Sequence, residues 1–285
     1  MVASDATPVG GGAGPAPSPA SGTGDLAMNK PAETPGTPTP VEGTPAPAPA
    51  AGGKIDWAKL LPVDLAVEVS KVARTEINAN LQTVQKYNAG METIRTQAAL
   101  LGMMAIIIGE HSEKSNLKEK AKFVRDLTYS IQGKASEKGK AGFDATQELF
   151  EQVTTILDGG QPPSTESADS VPYVEVADRS EMMKIIDKTI NDLKSNIGDP
   201  KRMKEQVESV NRQLTIMAAL GTMMLDSSYE YADNPEYVGY TNAFIEGAKA
   251  SLDAAKADNF DGFQGGINKM NTSCGDCHPK FRGGE

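Results

Sequence analysis

The chain predicts an all-α protein: two antiparallel, up-down-up-down four-helix bundles in tandem, behind a disordered leader. Three observations predict it. Aromatic residues make up only 5% of the 285 positions while Met occurs twelve times, a profile that suits small helical bundles better than β-sandwiches. Apolar residues step by three and four along helix-length windows, one stripe per window. A repeat also runs through the folded part. Ala99-Leu100-Leu101-Gly102-Met103-Met104 matches Ala218-Ala219-Leu220-Gly221-Thr222-Met223-Met224 with one residue of slack, Phe123-Val124 matches Phe244-Ile245, and Gly142-Phe143 matches Gly262-Phe263. These matches fall at offsets of 119, 121 and 120.

Residues 1–53 are rich in Pro, Ala, Gly, Thr and Ser, and eleven of the eighteen prolines precede residue 50. Such a segment buries too little apolar surface to offset the entropy of ordering, so it is expected to be a disordered leader or tether. Residues 54–160 are expected to form the first bundle. The run 161–177, with Pro162, Pro163 and Pro172 among polar residues, reads as a linker. Residues 178–285 are expected to form the second bundle.

In that second half a helix is expected from about Ser180 to Ile197, with Met183, Ile186, Ile190, Leu193 and Ile197 as its inner stripe. Gly198-Asp199-Pro200 stops it, and Asp199 can cap the next helix with Pro200 at its first position. That helix is expected to run unbroken to Ser228 through Val207, Val210, Leu214, Met217, Gly221 and Met224. A third starts near Pro235 with Tyr237, Tyr240, Phe244, Ala248 and Leu252 inward, and a fourth runs from Asp261 through Phe263, Ile267, Met270 and Cys274. Short connections imply antiparallel neighbours.

The formal net charge is −10, which argues against nucleic acid and anionic membrane surfaces and favours a basic partner. No apolar run is expected to be long enough to span a bilayer, and Ala98–Gly109 reads as a buried helix segment. His111 reads as a surface or cap residue.

The chemistry sits at the end of the chain. Cys274-Gly275-Asp276-Cys277-His278 is a C-x-x-C-H haem-attachment spacing, and it uses both cysteines present. Two thiols three residues apart can form thioethers with the haem vinyl groups, and the adjacent imidazole can then ligate iron. A redox disulfide would want a βαβ context, and a zinc site would need two further ligands, with His111 the only other histidine. The expected cofactor is one covalent haem c, with Cys274, Cys277 and His278 as its attachment residues. At the repeat offset of 120, Thr154, Leu157 and Asp158 stand opposite them, so the first half has the frame without the haem chemistry.

An antiparallel bundle places the start of its first helix, the end of its second and the start of its third beside the motif. The expected lining is Met182, Met183 and Ile186, then Leu220, Met223 and Met224, then Tyr237, Tyr240 and Phe244. Met183, on the inner stripe, is the expected distal iron ligand; Met224 or Met223 is the second choice, and an apolar pocket with no ligand the third. Lys280 and Arg282 can pair with haem propionates, but exposed charges near a chain end are usually just solvated.

Cys274–Arg282 fits C-x-x-C-H-x-x-[FY]-R at every specified position, and Met183–Lys194 is similar to the first helix of the b562 type. Over about 178–282 the chain resembles the cytochrome c′ / cytochrome b562 / cytochrome c556 superfamily of four-helix haem proteins. Pro279, directly after the histidine, departs from a simple helical end and is expected to stop or kink the last helix. The resemblance implies electron transfer where a Met from the first helix fills the sixth position, and diatomic-gas binding where that position is apolar. It also implies a protein that is not an enzyme, and no distal acid–base group is visible. Haem c attachment implies an exported, periplasmic protein. Residues 1–30 hold no basic and apolar signal regions, so an export signal or membrane anchor is expected to lie outside this sequence. The expected partner is a redox protein, either met in passing or as part of a larger complex that the haem-free half docks; homodimerisation is left open.

Overall fold

The computed structural model describes residues 54–282; the leader expected over residues 1–53 lies outside them. Every regular element among the described residues is helical, with no strand. In the first half α1 (Val63–Asn80), α2 (Val84–Glu110), α3 (Ala121–Lys134) and α4 (Lys140–Leu157) follow one another, after a short 3₁₀ turn at Trp57–Lys59. The second half opens with a 3₁₀ turn at Tyr173–Glu175. It continues with α5 (Arg179–Asn196), α6 (Pro200–Glu205), α7 (Val207–Met223), α8 (Pro235–Lys256) and α9 (Phe260–Phe281).

The boundaries follow side-chain capping. Thr83 accepts from Lys86 N, Asp178 from Glu181 N, Asp199 from Arg202 N, Asn234 from Glu236 N and Asn259 from Gly262 N. Each occupies an otherwise orphaned donor of a first turn. Pro200 and Pro235 sit at first helical positions, where a missing N–H costs nothing.

The halves share a plan. The two 3₁₀ turns start 116 residues apart (57 and 173), as do α1 and α5 (63 and 179), and the caps of α4 and α9 lie 120 apart (139 and 259). In the first half each helix packs on the next; in the second, α5 packs on α7, α7 on α8 and α8 on α9. A matching device closes each: His111 Nε2 lies 3.2 Å from Leu61 O, and Tyr229 Oη donates to Ala177 O at 2.8 Å. Leu61 and Ala177 again differ by 116. Gly102 and Gly221 match as well. A Cβ on Gly102 would lie 2.8 Å from Thr128 Oγ1, and one on Gly221 2.7 Å from Ile245 Cγ1. Both glycines admit a neighbouring helix at close range.

Four expectations are corrected, and the path of the linker is added. The helix expected over 200–228 breaks at Gln206, which has non-helical ψ, and ends at Met223. His111 is a cap residue, as expected, but it is fully buried and not on the surface. Helix α2 is long and apolar enough to cross a membrane by length and composition, and 72% of its most apolar window is buried within the fold. It is the hub of the first half, packing on α1, α3, α4 and α5. Pro279 does not end α9, which runs on to Phe281, where Arg282 N donates to His278 O. The linker segment 161–177 lies along the first half. Arg125 donates to Ala168 O at 2.7 Å, Lys122 pairs with Asp169, Gln132 donates to Val176 O, and Val176 and Ala177 are buried.

The halves meet along α2 and α5, and the described residues all belong to one compact unit. Arg212 of α7 also pairs with Glu68 of α1.

Candidate functional site

On an α-helix, residues at i, i+3 and i+4 fall within about 100° of arc. The helix α9 therefore turns Cys274, Cys277 and His278 to one face, and all three line a single groove. Across from them stand Met183 and Ile186 of α5, Met224 at the end of α7, and Tyr237, Tyr240, Thr241 and Phe244 of α8. The groove is open to solvent, and its side chains leave a cavity of only about 30 Å³ between them. Helix α5, which supplies Met183 and Ile186, packs chiefly on α2 and α7.

The walls are apolar or internally satisfied. Thr241 Oγ1 donates to Tyr237 O and Ser273 Oγ to Met270 O, each within its own helix. Neither hydroxyl presents an unpaired polar atom to the groove. Tyr237 is almost fully buried and its hydroxyl reaches Met224 O at 3.4 Å.

The motif end of α9 is anchored by aromatic packing. Phe281 sits 5.1 Å from Tyr231, 5.6 Å from Tyr237 and 6.4 Å from Tyr240, centroid to centroid, within the range where ring pairs attract beyond their burial. Arg179, the first residue of α5, lies over the Tyr231 and Tyr237 rings and donates to Phe281 O at 3.3 Å. A cation at a helix C-terminus also meets the negative end of its dipole. Lys280 pairs with Glu236, donates to Tyr240 Oη and lies over the Tyr240 ring. It is tied to α8 rather than merely solvated, and the pairing raises its pKa and lowers that of Glu236.

Burial sets the protonation of the motif. It pushes the Cys274 thiol up, with Cys277 adding to the effect. It also pushes Cys277 up, partly offset by the Arg179 charge. It pushes His278 down from its ordinary value, and the Arg282 charge adds to that. The face therefore carries two neutral thiols and a neutral imidazole, the form of histidine that can ligate a metal.

Cys274, Cys277, His278, Met183, Met224, Tyr240 and Phe244 thus come together in one groove, and Arg282 does not line it. Arg282 is exposed at the C-cap of α9, where its charge still reaches His278. Met182, Leu220 and Met223 are fully buried in the core and do not line the groove. The thioether of Met182 lies 3.9 Å from the Tyr229 hydroxyl. Sequence reasoning missed Arg179 and Phe281 as anchors and Thr241 and Ser273 as lining. Ser273 could have been found as the neighbour of Cys274; Arg179 gave no signal, standing one residue before the expected helix start.

Among the described residues no three His, Cys, Asp or Glu side chains gather as they would around a metal ion. Cys274 and Cys277 therefore lack the further ligands of a zinc site. The donor set fits covalent haem instead. Cys274, Cys277 and His278 would hold that cofactor within an apolar surround, and Met183 and Met224 in the same groove would offer a further thioether to its iron.

No family model, no curated protein and no solved structure matches the chain.

Proposed function

We propose that the chain is an exported monohaem c-type cytochrome that transfers electrons through a haem bound in the α9 groove. The fold is read as two tandem four-helix bundles, 54–160 and 178–285, of which the second carries the haem. The supporting observation is the meeting of Cys274, Cys277 and His278 on one helical face with Met183 on the opposite wall of the same groove. When bound, haem c supplies a one-electron iron couple.

The residues have distinct tasks. Cys274 and Cys277 would hold the haem through thioethers, and His278 would supply a neutral imidazole to its iron. Of the two groove methionines, Met224 is 3% exposed and packed beside Tyr237, whereas Met183 is only half-buried, with its side chain along the groove. We take Met183 as the distal donor. A soft thioether favours the reduced iron and keeps exogenous ligands out. Phe244, Tyr237 and Ile186 exclude water from the ring faces. The net charge of −10 favours a basic redox partner.

Intact mass after denaturation tests the attachment. The exported chain should carry one haem mass that survives unfolding, and Cys274→Ala with Cys277→Ala should remove it. A chain expressed with haem-maturation machinery that carries none would contradict the proposal.

A further inference from the structure

The groove wall that carries Met183 is held from outside its own half. Glu181, in the first turn of α5, is only 6% exposed. A carboxylate buried to that degree needs partners, and α2 supplies them. Thr96 Oγ1 donates to Glu181 Oε2 at 2.6 Å, and Arg95 Nε lies 4.0 Å from Oε1. Lys184 bonds Glu181 at 2.8 Å and also pairs with Glu92 of α2.

The segment leading into α5 is fixed to the same half. Tyr173 Oη donates to Glu110 at 2.5 Å and Gln132 Nε2 to Val176 O at 2.8 Å. Val176 lies against Gly102, where an added Cβ would come within 2.8 Å of it. From Tyr173 to Lys184 the chain is thus pinned to α2 and α3.

Residues 181 and 183 lie about 200° apart around a helix. Glu181 therefore faces the first half while Met183 faces the groove, on one turn. A displacement of that turn on one face moves the side chain on the other.

We propose that the haem-free half positions the distal ligand: Thr96 and Arg95 hold Glu181, and through it hold Met183 in place across from His278. This rests on the reading of Met183 as distal donor given above. Groups behind a metal ligand set its orientation, and their loss typically costs about 10–100-fold in binding or activity. Thr96, Arg95 and Glu181 are positioning residues; none touches the groove.

The test uses the full-length, haem-loaded protein and reads the methionine–iron charge-transfer absorption and the apparent CO affinity. Thr96→Val and Glu181→Gln should each weaken the absorption and raise apparent CO affinity by about tenfold, since a larger fraction of molecules has the site free. Thr96→Ser should behave as the parent. So should Arg212→Ala, which breaks the Arg212–Glu68 pair joining the halves elsewhere. Folded Thr96→Val and Glu181→Gln proteins with parental spectra and CO affinity would overturn the proposal. So would an Arg212→Ala protein shifted as far as they are, because a general loosening would then suffice. If Thr96→Val does not accumulate, the shape-preserving Glu181→Gln decides. A parent protein with no methionine–iron absorption would show that the distal-ligand reading itself has failed, and the positioning role with it.

Discussion

Each half leaves a groove beside its first and last helices, and the two differ in chemistry. Asn78, Leu81, Gln82, Gln147, Phe150, Glu151, Thr154 and Thr155 line the one in the first half, where polar side chains outnumber apolar ones. Thr154, at the repeat position of Cys274, lies in it with a buried hydroxyl that has no hydrogen-bond partner. The groove of the second half has thiols, thioethers, rings and satisfied hydroxyls. One helix plan carries both, so the plan does not dictate chemistry; a few side chains on the last helix and its opposite wall do. The helix α9 is also longer, at 22 residues against 18 for α4. The extra turn carries Phe281, whose ring packing fixes the motif end against α8.

The comparison is broken most severely by giving α9 the residues that stand at the matching positions at the end of α4. The triple change Cys274→Thr, Cys277→Leu, His278→Asp should abolish haem incorporation while far-ultraviolet circular dichroism stays helical. Retained haem after denaturation would contradict the account.

The shared plan is tested next. At both close helix contacts a methyl group must displace a packed neighbour, so Gly221→Ala and Gly102→Ala should each cost about 1–3 kcal/mol in denaturant unfolding. A neutral outcome at both sites would show that the glycines do not mark matched contacts.

A smaller effect separates the matched caps. Tyr229→Phe leaves Ala177 O without its buried donor and should cost about 1 kcal/mol in the same measurement. His111→Ala should cost at least as much. The His111 ring sits between Leu61 O and Glu113 N, so its loss strands one acceptor and one donor.

The smallest effect is electrostatic and belongs to the haem-free protein. The folded pKa of His278 lies below its unfolded value of about 6.5, chiefly through burial. Between those two values the unfolded chain binds more protons than the folded one. Stability is therefore greatest above the unfolded value and declines as pH falls towards the folded one. Thermal unfolding at pH 7.5 and 5.5 should show a small loss that His278→Gln reduces. The half-exposed position of the ring keeps the effect modest.

Much of this was legible in the sequence. The stops at Gly198-Asp199-Pro200 and Asn234-Pro235 are chemical and local, so α5 ends, and α6 and α8 begin, where they dictate. The groove residues were legible because C-x-x-C-H on a helix has only one face to occupy. The break at Gln206 was not, since no Gly or Pro marks Lys201–Gln206. The two buried faces of α5 were not legible either. Met183, Ile186 and Ile190 read as a single stripe, yet Met182 and Ile185 are buried as well, because α2 of the other half covers a second side. His111 followed the same logic: a polar residue at a helix end is usually solvated, and only the fold brings Leu61 O to it. Such features depend on contacts between distant parts of the chain, which one-dimensional periodicity does not carry.

The most direct test is the visible absorption spectrum of the haem-loaded protein, oxidised and reduced, with and without CO, in the parent and in Met183→Ala. The account predicts low-spin bands, a methionine–iron charge-transfer feature and indifference to CO in the parent. Met183→Ala should lose that feature and bind CO promptly, while Met224→Ala should keep the parental spectrum. A parent with a high-spin spectrum that shifts at once on CO addition would contradict electron transfer through a six-coordinate haem and favour gas binding in the same groove.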